Sequence, residues 1–401
     1  MLQNLTPDVE EFRNEVRDFL DRNLDDDLRH AAAYSTGVFA EPDIGLRWQR
    51  ILDEKGWLTY CWPPENGGTG WSPIKRYIFE SECALAGAPD IAGMGLRLLG
   101  PVLCAFGTKE QKERFLPGIR SGEDYWCQGF SEPGSGSDLA SATTSAVLRD
   151  GQYVINGSKI WTTHAQFANW IFCLVRTDKA GRKQAGLSFL LVPMDQPGVR
   201  VSPILSMSGD HEVNQVFFDD AVADAGYLIG EEGGGWAITK FLLVNERAGS
   251  CFAPGLLRNT GIAEQAFGEL QSDGAVSPDR LLSLKQRLEA ARLQVEAFEM
   301  LELELLHKVQ AGQEPGPSAS LIKLAASTLM QKIDEICVDL VPLEGRALFD
   351  SNSHTRTYPV RSQIDYLSQV GVSKYLNNRA ATIYGGSTEI MKNILANEIL
   401  H

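Results

Sequence analysis

Apolar positions in this chain fall at helical spacing first, at strand spacing in the middle, and at helical spacing again to the end. Val9, Phe12, Val16, Phe19 and Leu20 share one helix face. Thr6-Pro7-Asp8-Val9-Glu10 predicts a helix start, with Thr6 as cap, Pro7 in the first turn and acids beside the N-terminal dipole. The helical pattern breaks at Trp62-Pro63-Pro64-Glu65-Asn66-Gly67-Gly68-Thr69-Gly70 and resumes from Pro73 to Leu116. The texture then changes to short apolar or alternating runs: Ser145–Arg149, Tyr153–Ile155, Trp170–Val175, Leu187–Val192 and Val213–Phe218. Asp150-Gly151 and Asn156-Gly157 stand between the first of these runs, so closely spaced antiparallel strands are expected. From Trp236 the pattern is helical again. It predicts long helices over Arg280–Gln310, Ser318–Val341 and Thr388–Leu400, the first stopped by Ala311-Gly312 and Pro315-Gly316-Pro317. The reading is an α+β chain in three parts: helical over residues 1–122, antiparallel β over 123–229, helical over 230–401.

Composition narrows the function. A net charge of −15 argues against nucleic acid as a partner, because phosphate backbones attract basic surfaces. The seven cysteines form no CxxC pair, which reads as free thiols in a reducing compartment, the cytoplasm. The six histidines include no HExxH or paired ligand spacing, so no metal site is expected. The start turns acidic at once, so neither a secretory signal nor an Arg-rich transit peptide is expected, and no apolar run is long enough for a membrane span.

The most informative stretch is Gln128-Gly129-Phe130-Ser131-Glu132-Pro133-Gly134-Ser135-Gly136-Ser137-Asp138. Gly134 and Gly136 are expected to allow positive φ and close backbone approach, and the hydroxyls of Ser131, Ser135 and Ser137 to aim at one phosphate-bearing ligand. By composition alone the run reads as a solvated turn. Two further segments change that reading: Gly157-Ser158-Lys159-Ile160-Trp161-Thr162-Thr163-His164-Ala165, and Ile383-Tyr384-Gly385-Gly386-Ser387-Thr388-Glu389-Ile390.

The three segments in this order resemble the acyl-CoA dehydrogenase family of flavoproteins. Phe106–Pro117 and Gly233-Gly234-Gly235-Trp236 extend the resemblance over nearly the whole chain. It implies an N-terminal helical domain, a middle β-domain and a C-terminal four-helix-bundle domain. It also implies bound FAD, an acyl-CoA substrate, an acceptor such as an electron-transfer flavoprotein, and a homodimer or homotetramer, or a heteromer.

The family abstracts the α proton of the thioester with a carboxylate. Many members carry that glutamate at the position of Gly385, where this chain has none. A second family position for the base lies on the first long helix of the C-terminal domain, before an arginine. Here it reads Glu246-Arg247, so Glu246 is the expected base and Arg247 a substrate-side neighbour. Glu389 is the rival carboxylate, in a helix first turn where Glu is favoured in any case. The resemblance gives flavin contacts to Gln128, Phe130, Ser131, Gly136, Ser137, Trp161, Thr162, Thr163, Ser387 and Glu389. It gives substrate contacts to Ser137 and, through its backbone N–H, to Gly385. Two neighbour-contact motifs of many members, an Arg-x-x-Phe and a Gln-x-x-Gly-Gly, are missing at Ala266–Leu270 and Asp339–Gly345. Two alternatives stay open: a flavin oxidase or monooxygenase on the same fold, and a flavin-poor subunit of a heteromeric dehydrogenase.

Overall fold

The computed structural model describes residues 6–179, 181–248, 251–274, 276–343 and 361–400; the side chains of 245–248 and 398–399 also lie outside the description. Six helices come first: α1 (Pro7–Asn23), α2 (Asp26–Tyr34), α3 (Pro42–Glu54), α4 (Pro73–Ala86), α5 (Gly100–Phe106) and α6 (Lys109–Ser121). A π-helical turn, Met94–Leu99, leads into α5. Thr6 does occupy the cap position of α1, but its hydroxyl donates to Asp8 and caps no backbone N–H. Thr108 makes the full reciprocal cap on α6 with Gln111.

Eight strands follow: β1 (Trp126–Gly129), β2 (Ser145–Arg149), β3 (Gln152–Thr163), β4 (Trp170–Arg176), β5 (Leu187–Pro193), β6 (Val199–Ile204), β7 (Val213–Asp224) and β8 (Leu228–Ile229). They form one sheet in the order β6-β7-β3-β2-β4-β5-β8, with β1 beside β4. The expectation of antiparallel pairing needs correction at one place. β1 runs parallel to β4, and β2 meets β4 in a single parallel pair, because the chain leaves β1 through the Ser131–Ser137 loop instead of a hairpin. β4 and β5 are apolar at nearly every position because both faces are covered. Phe172, Leu174, Phe189 and Leu191 join the core shared with the helices, while Ile171, Cys173, Leu190 and Val192 fill the opposite face.

The C-terminal part holds α7 (Gly235–Ala248), α8 (Ala253–Asp273), α9 (Pro278–Gln310), α10 (Ser318–Leu340), α11 (Gln363–Asn377) and α12 (Thr388–Leu400). Helices α8 to α11 pack on one another as a four-helix bundle, and α4 packs against α8 and α9. α7 lies against β5, the π-turn and α5, so it bridges all three parts of the chain. Among the described residues no helix is long and apolar enough to cross a membrane.

Candidate active site

The Gln128–Asp138 loop is held to β3 by a buried ion pair. Lys159 is fully buried; its ammonium donates to Phe130 O (3.1 Å), Leu174 O (2.7 Å) and Glu132 Oε1 (2.8 Å). Glu132 also accepts from Thr143 N, Thr143 Oγ1 and Thr144 N. Burial alone would raise the Glu132 pKa; the Lys159 charge and these hydrogen bonds outweigh it and hold the carboxyl at about 2. The Ile160 N–H donates to Ser131 O (2.9 Å), so loop and strand are also joined by backbone. Glu132 and Lys159 both lie in the segments singled out above, but only the fold pairs them.

The loop itself departs from expectation. Glu132 and Ser135 exchange backbone hydrogen bonds across a tight turn, and the Ser135 hydroxyl is spent on Asp138 O. Neither Gly134 nor Gly136 has positive φ, and a Cβ at either would meet open space. Their role is therefore not to relieve backbone strain; they leave the loop bare around the exposed Gly136-Ser137 backbone. Gln128 is half-buried on β1 and Ser131 half-buried beside β3. The Phe130 ring is in the core, edge-on to Phe172 and Phe189, so only its backbone faces the loop.

At the far end of β3, Trp161 has φ +60° and is 60% exposed. The left-handed turn lifts the indole off the strand, so the ring stands at an open edge and not in the core. Thr162 is fully buried, and among the described residues its hydroxyl has no hydrogen-bond partner. Thr163 is half-buried beside it. His164 stacks near Tyr125 and receives its hydroxyl at Nδ1 (2.7 Å). Burial pushes the His164 pKa down to about 4, so the ring is neutral and Nδ1 accepts.

The C-terminal segment reaches the same end of β3 through Glu212. The Glu212 carbonyl accepts from His164 N (2.9 Å), and its carboxylate accepts from Val38 N and from Asn377 Nδ2 (3.0 Å). This one side chain ties the N-terminal loop, the sheet and the end of α11 together. Nothing in its sequence surroundings marked it. Beyond Asn377 the chain turns through Ile383 and Tyr384, both exposed, to Gly385 (φ +62°) and Gly386 (φ +100°). Gly386 O accepts from Lys323. A glutamate at 385 would sit in the left-handed region at a cost of roughly 1–2 kcal/mol, so this backbone suits the glycine that departs from the family pattern. Ser387 caps α12 by accepting from Ile390 N. Glu389 is exposed, and hydrogen bonds to its own backbone and to Ser387 lower its pKa. That favours the ionised carboxylate and works against a desolvated base there. Glu246 and Arg247 fall in the last turn of α7, and their side chains lie outside the described residues. Among the described residues no group of three or more His, Cys, Asp and Glu is placed to hold a metal ion.

Known proteins match this arrangement along its whole length. The acyl-CoA dehydrogenase N-terminal, middle and C-terminal domain models match residues 6–123, 127–221 and 233–400. Acyl-CoA dehydrogenase IpdE1 of Mycobacterium tuberculosis is 38% identical over 98% of this chain and 97% of its own. The chain belongs to the acyl-CoA dehydrogenase family. It is an oxidoreductase acting on acyl-CoA. Long-chain specific acyl-CoA dehydrogenase of Mus musculus is 28% identical over 97% of this chain and 86% of its own. Among solved structures, the Tcur3481-Tcur3483 steroid ACAD matches with a TM-score of 0.81 and 28% identity, covering 100% of this chain and 99% of that one. The ChsE4-ChsE5 complex from Mycobacterium tuberculosis matches with a TM-score of 0.78 and 26% identity, over 100% and 99%.

The acyl-CoA dehydrogenase family is flavin-dependent, and the residues present fit a flavin. An open indole, hydroxyls from Ser131, Ser137 and Thr163, an orphaned Thr162 hydroxyl and a bare glycine-serine backbone suit a planar ring with a diphosphate tail.

Proposed function

We propose that this chain binds FAD and oxidises an acyl-CoA thioester to the trans-2-enoyl-CoA, with Glu246 as the base. The observation that carries the reading is the fusion of the Gln128–Ser137 loop to β3 through Lys159 and Glu132, with Trp161 held open at the strand end. Gln128, Ser131, Gly136, Ser137, Trp161, Thr162 and Thr163 would hold FAD from the sheet side, the Phe130 backbone beside them, and Ser387 and Glu389 from the C-terminal side. Bound FAD supplies the acceptor for the β hydride. The chain's own residues do the rest. The Gly385 N–H donates to the thioester carbonyl, which makes the α C–H more acidic. Glu246 removes the α proton, and Arg247 orients it. Exclusion of water from the base, on a helix whose Ile238 and Leu242 are buried, would lift its proton affinity toward its task. Ser137 lies at the substrate entrance. An electron-transfer flavoprotein is the proposed acceptor of the electrons.

Glu246→Gln tests the assignment. Gln keeps the shape and cannot take the proton, so enoyl-CoA formation should slow by roughly a hundredfold or more with FAD content preserved. Near-normal turnover would move the base elsewhere.

A heteromeric assembly is the second reading. It is favoured by two structural relatives that are two-chain proteins, Tcur3481-Tcur3483 and ChsE4-ChsE5, and by the missing neighbour-contact motifs. Mass measurement of the native protein after expression alone and with its neighbours would separate this from a homodimer or homotetramer. The steroid and cyclohexane-1-carbonyl groups in the names of relatives make ring-bearing thioesters sensible first substrates to try.

A further inference from the structure

Arg97 sits in the π-turn Met94–Leu99 among buried neighbours Leu96, Leu98 and Leu99, yet its own side chain is open. Its guanidinium lies 5.9 Å from the ring centroid of Tyr60, which is 5% exposed. Tyr60 first, then Glu80, Cys61 and Asp90, favour the charge against the desolvation that the surrounding protein imposes. Arg76, on the face of α4 that also carries Glu80 and Cys83, shares this wall. Both arginines act on the Cys61 thiol, which burial pushes up to about 11. An exposed guanidinium set against the buried Tyr60 ring, with the Arg76 Nε buried on the neighbouring helix, is taken in this proposal as the wall of a cleft.

Among the described residues neither guanidinium has a hydrogen-bond or ion-pair partner, and Arg76 Nε is buried and unpaired. Glu80 favours the Arg97 charge from a distance but touches neither guanidinium. Its two oxygens accept from Tyr60 OH (2.8 Å) and from Cys251 N (3.3 Å), and it makes no ion pair among the described residues. Arginines kept for charge balance would be expected to touch that carboxylate. The cleft therefore offers unused guanidinium donors with no acceptor among the described residues, and for the buried Arg76 Nε a ligand oxygen would relieve the cost of an unmade hydrogen bond.

Its position ties it to the reaction site. α7 packs on the π-turn and α5, with the Phe106 and Phe241 rings 5.1 Å apart. Cys251, just past the end of α7, reaches Glu80 in the wall of the cleft. The helix whose last turn carries Glu246 thus borders the arginine wall.

We propose that Arg97, supported by Arg76, forms the distal end of the acyl pocket and selects thioesters whose acyl group carries an oxygen acceptor, a carboxylate or a ketone, remote from the thioester. This rests on the dehydrogenase reading above. The arginine fork would take a carboxylate in two parallel bonds and a ketone in one or two.

The test uses the FAD-loaded full chain, with any subunit that co-purifies, and three matched series of CoA thioesters of increasing length: plain acyl, terminal carboxylate and penultimate ketone. The wild type should prefer an oxygenated series by about tenfold or more in kcat/KM. A gain confined to carboxylates assigns the anion; a gain shared by ketones assigns the hydrogen-bond acceptor. Arg97→Met should erase the preference, chiefly through KM, with thermal midpoint and FAD content unchanged. Arg97→Lys should recover part of it. Wild type without preference at any length, or Arg97→Met that retains it, would overturn the proposal. Calorimetric binding of the same thioesters separates the two readings. Preferential binding without oxidation would keep the Arg97 assignment and remove the dehydrogenase one; oxidation of plain thioesters without preference would do the reverse.

Discussion

Replacing Lys159 with Met removes the ammonium that holds the cofactor loop to the sheet. The side chains of Lys159 and Glu132 are 0% and 5% exposed, so the loss is not softened by solvent. Three hydrogen bonds vanish, Phe130 O and Leu174 O are left in an apolar interior, and Glu132 becomes a buried charge with only neutral donors. Breaking a buried pair from one side costs about 3–5 kcal/mol. At about 2 °C per kcal/mol for a large domain, the thermal midpoint should fall by about 6–10 °C. FAD affinity should fall with it, because the same bonds fix the Phe130–Glu132 backbone. Lys159→Met combined with Glu132→Leu should cost less than the sum of the singles, since the uncompensated charge is gone. It should not return to wild type, because Thr143 and Thr144 N–H lose their acceptor. Calorimetry and FAD titration on the three variants read this out. A Lys159→Met protein with unchanged midpoint and FAD affinity would refute the reasoning.

Trp161→Ala should weaken FAD binding while leaving the apoprotein's stability within about 0.5 kcal/mol of wild type, because the indole is 60% exposed and packs little; a large loss of apoprotein stability would place the ring in the core instead. Stability should also depend on pH through two buried carboxyls. Burial pushes Glu302 up to about 7 and Asp334 up to about 6, from ordinary values of 4.5 and 3.8. The folded chain then binds their protons more tightly than the unfolded chain does. Their contribution is complete below about pH 4 and is lost as pH rises to about 7, at about 1.4 kcal/mol for each pH unit separating a carboxyl's folded and unfolded pKa. Glu132 acts in the opposite sense, its contribution present above 4.5 and lost as pH falls toward 2. His164, which burial holds at about 4 against an ordinary 6.5, opposes the two buried carboxyls up to about pH 6.5, so the midpoint should decline only modestly between about pH 5 and pH 7, and Glu302→Gln should flatten or reverse that decline. A midpoint that rises across this window would contradict the assignment.

The three-part division, most strands and the long helices α9, α10 and α12 were legible because their periodicity is local. α8 was harder to see: Pro254, Gly255, Gly261 and Gly268 dilute its pattern, and its stability comes from packing against α9 and α10. The parallel β1–β4 pair was not legible at all, since register between distant segments is a property of the closed sheet. The segments carrying Ser131, Trp161 and Gly385 could be picked out by their combined resemblance to the family, since composition alone left the Ser131 run a solvated turn. What joins them could not. Glu132 and Lys159 are 27 residues apart, and Glu212 and Asn377 are 165 apart. Each is an ordinary charged or polar residue until the fold removes water from around it. Arg97 gave no signal either, because an arginine between leucines reads as the polar face of a helix.

The most direct test of the central claim is the visible spectrum of the purified full chain, with its co-purifying subunits, before and after anaerobic addition of acyl-CoA. The account predicts a yellow protein that holds FAD and loses its flavin absorbance as enoyl-CoA appears in equal amount. A protein that stays colourless after FAD is supplied, or an FAD-loaded protein whose absorbance no acyl-CoA thioester changes, would contradict it.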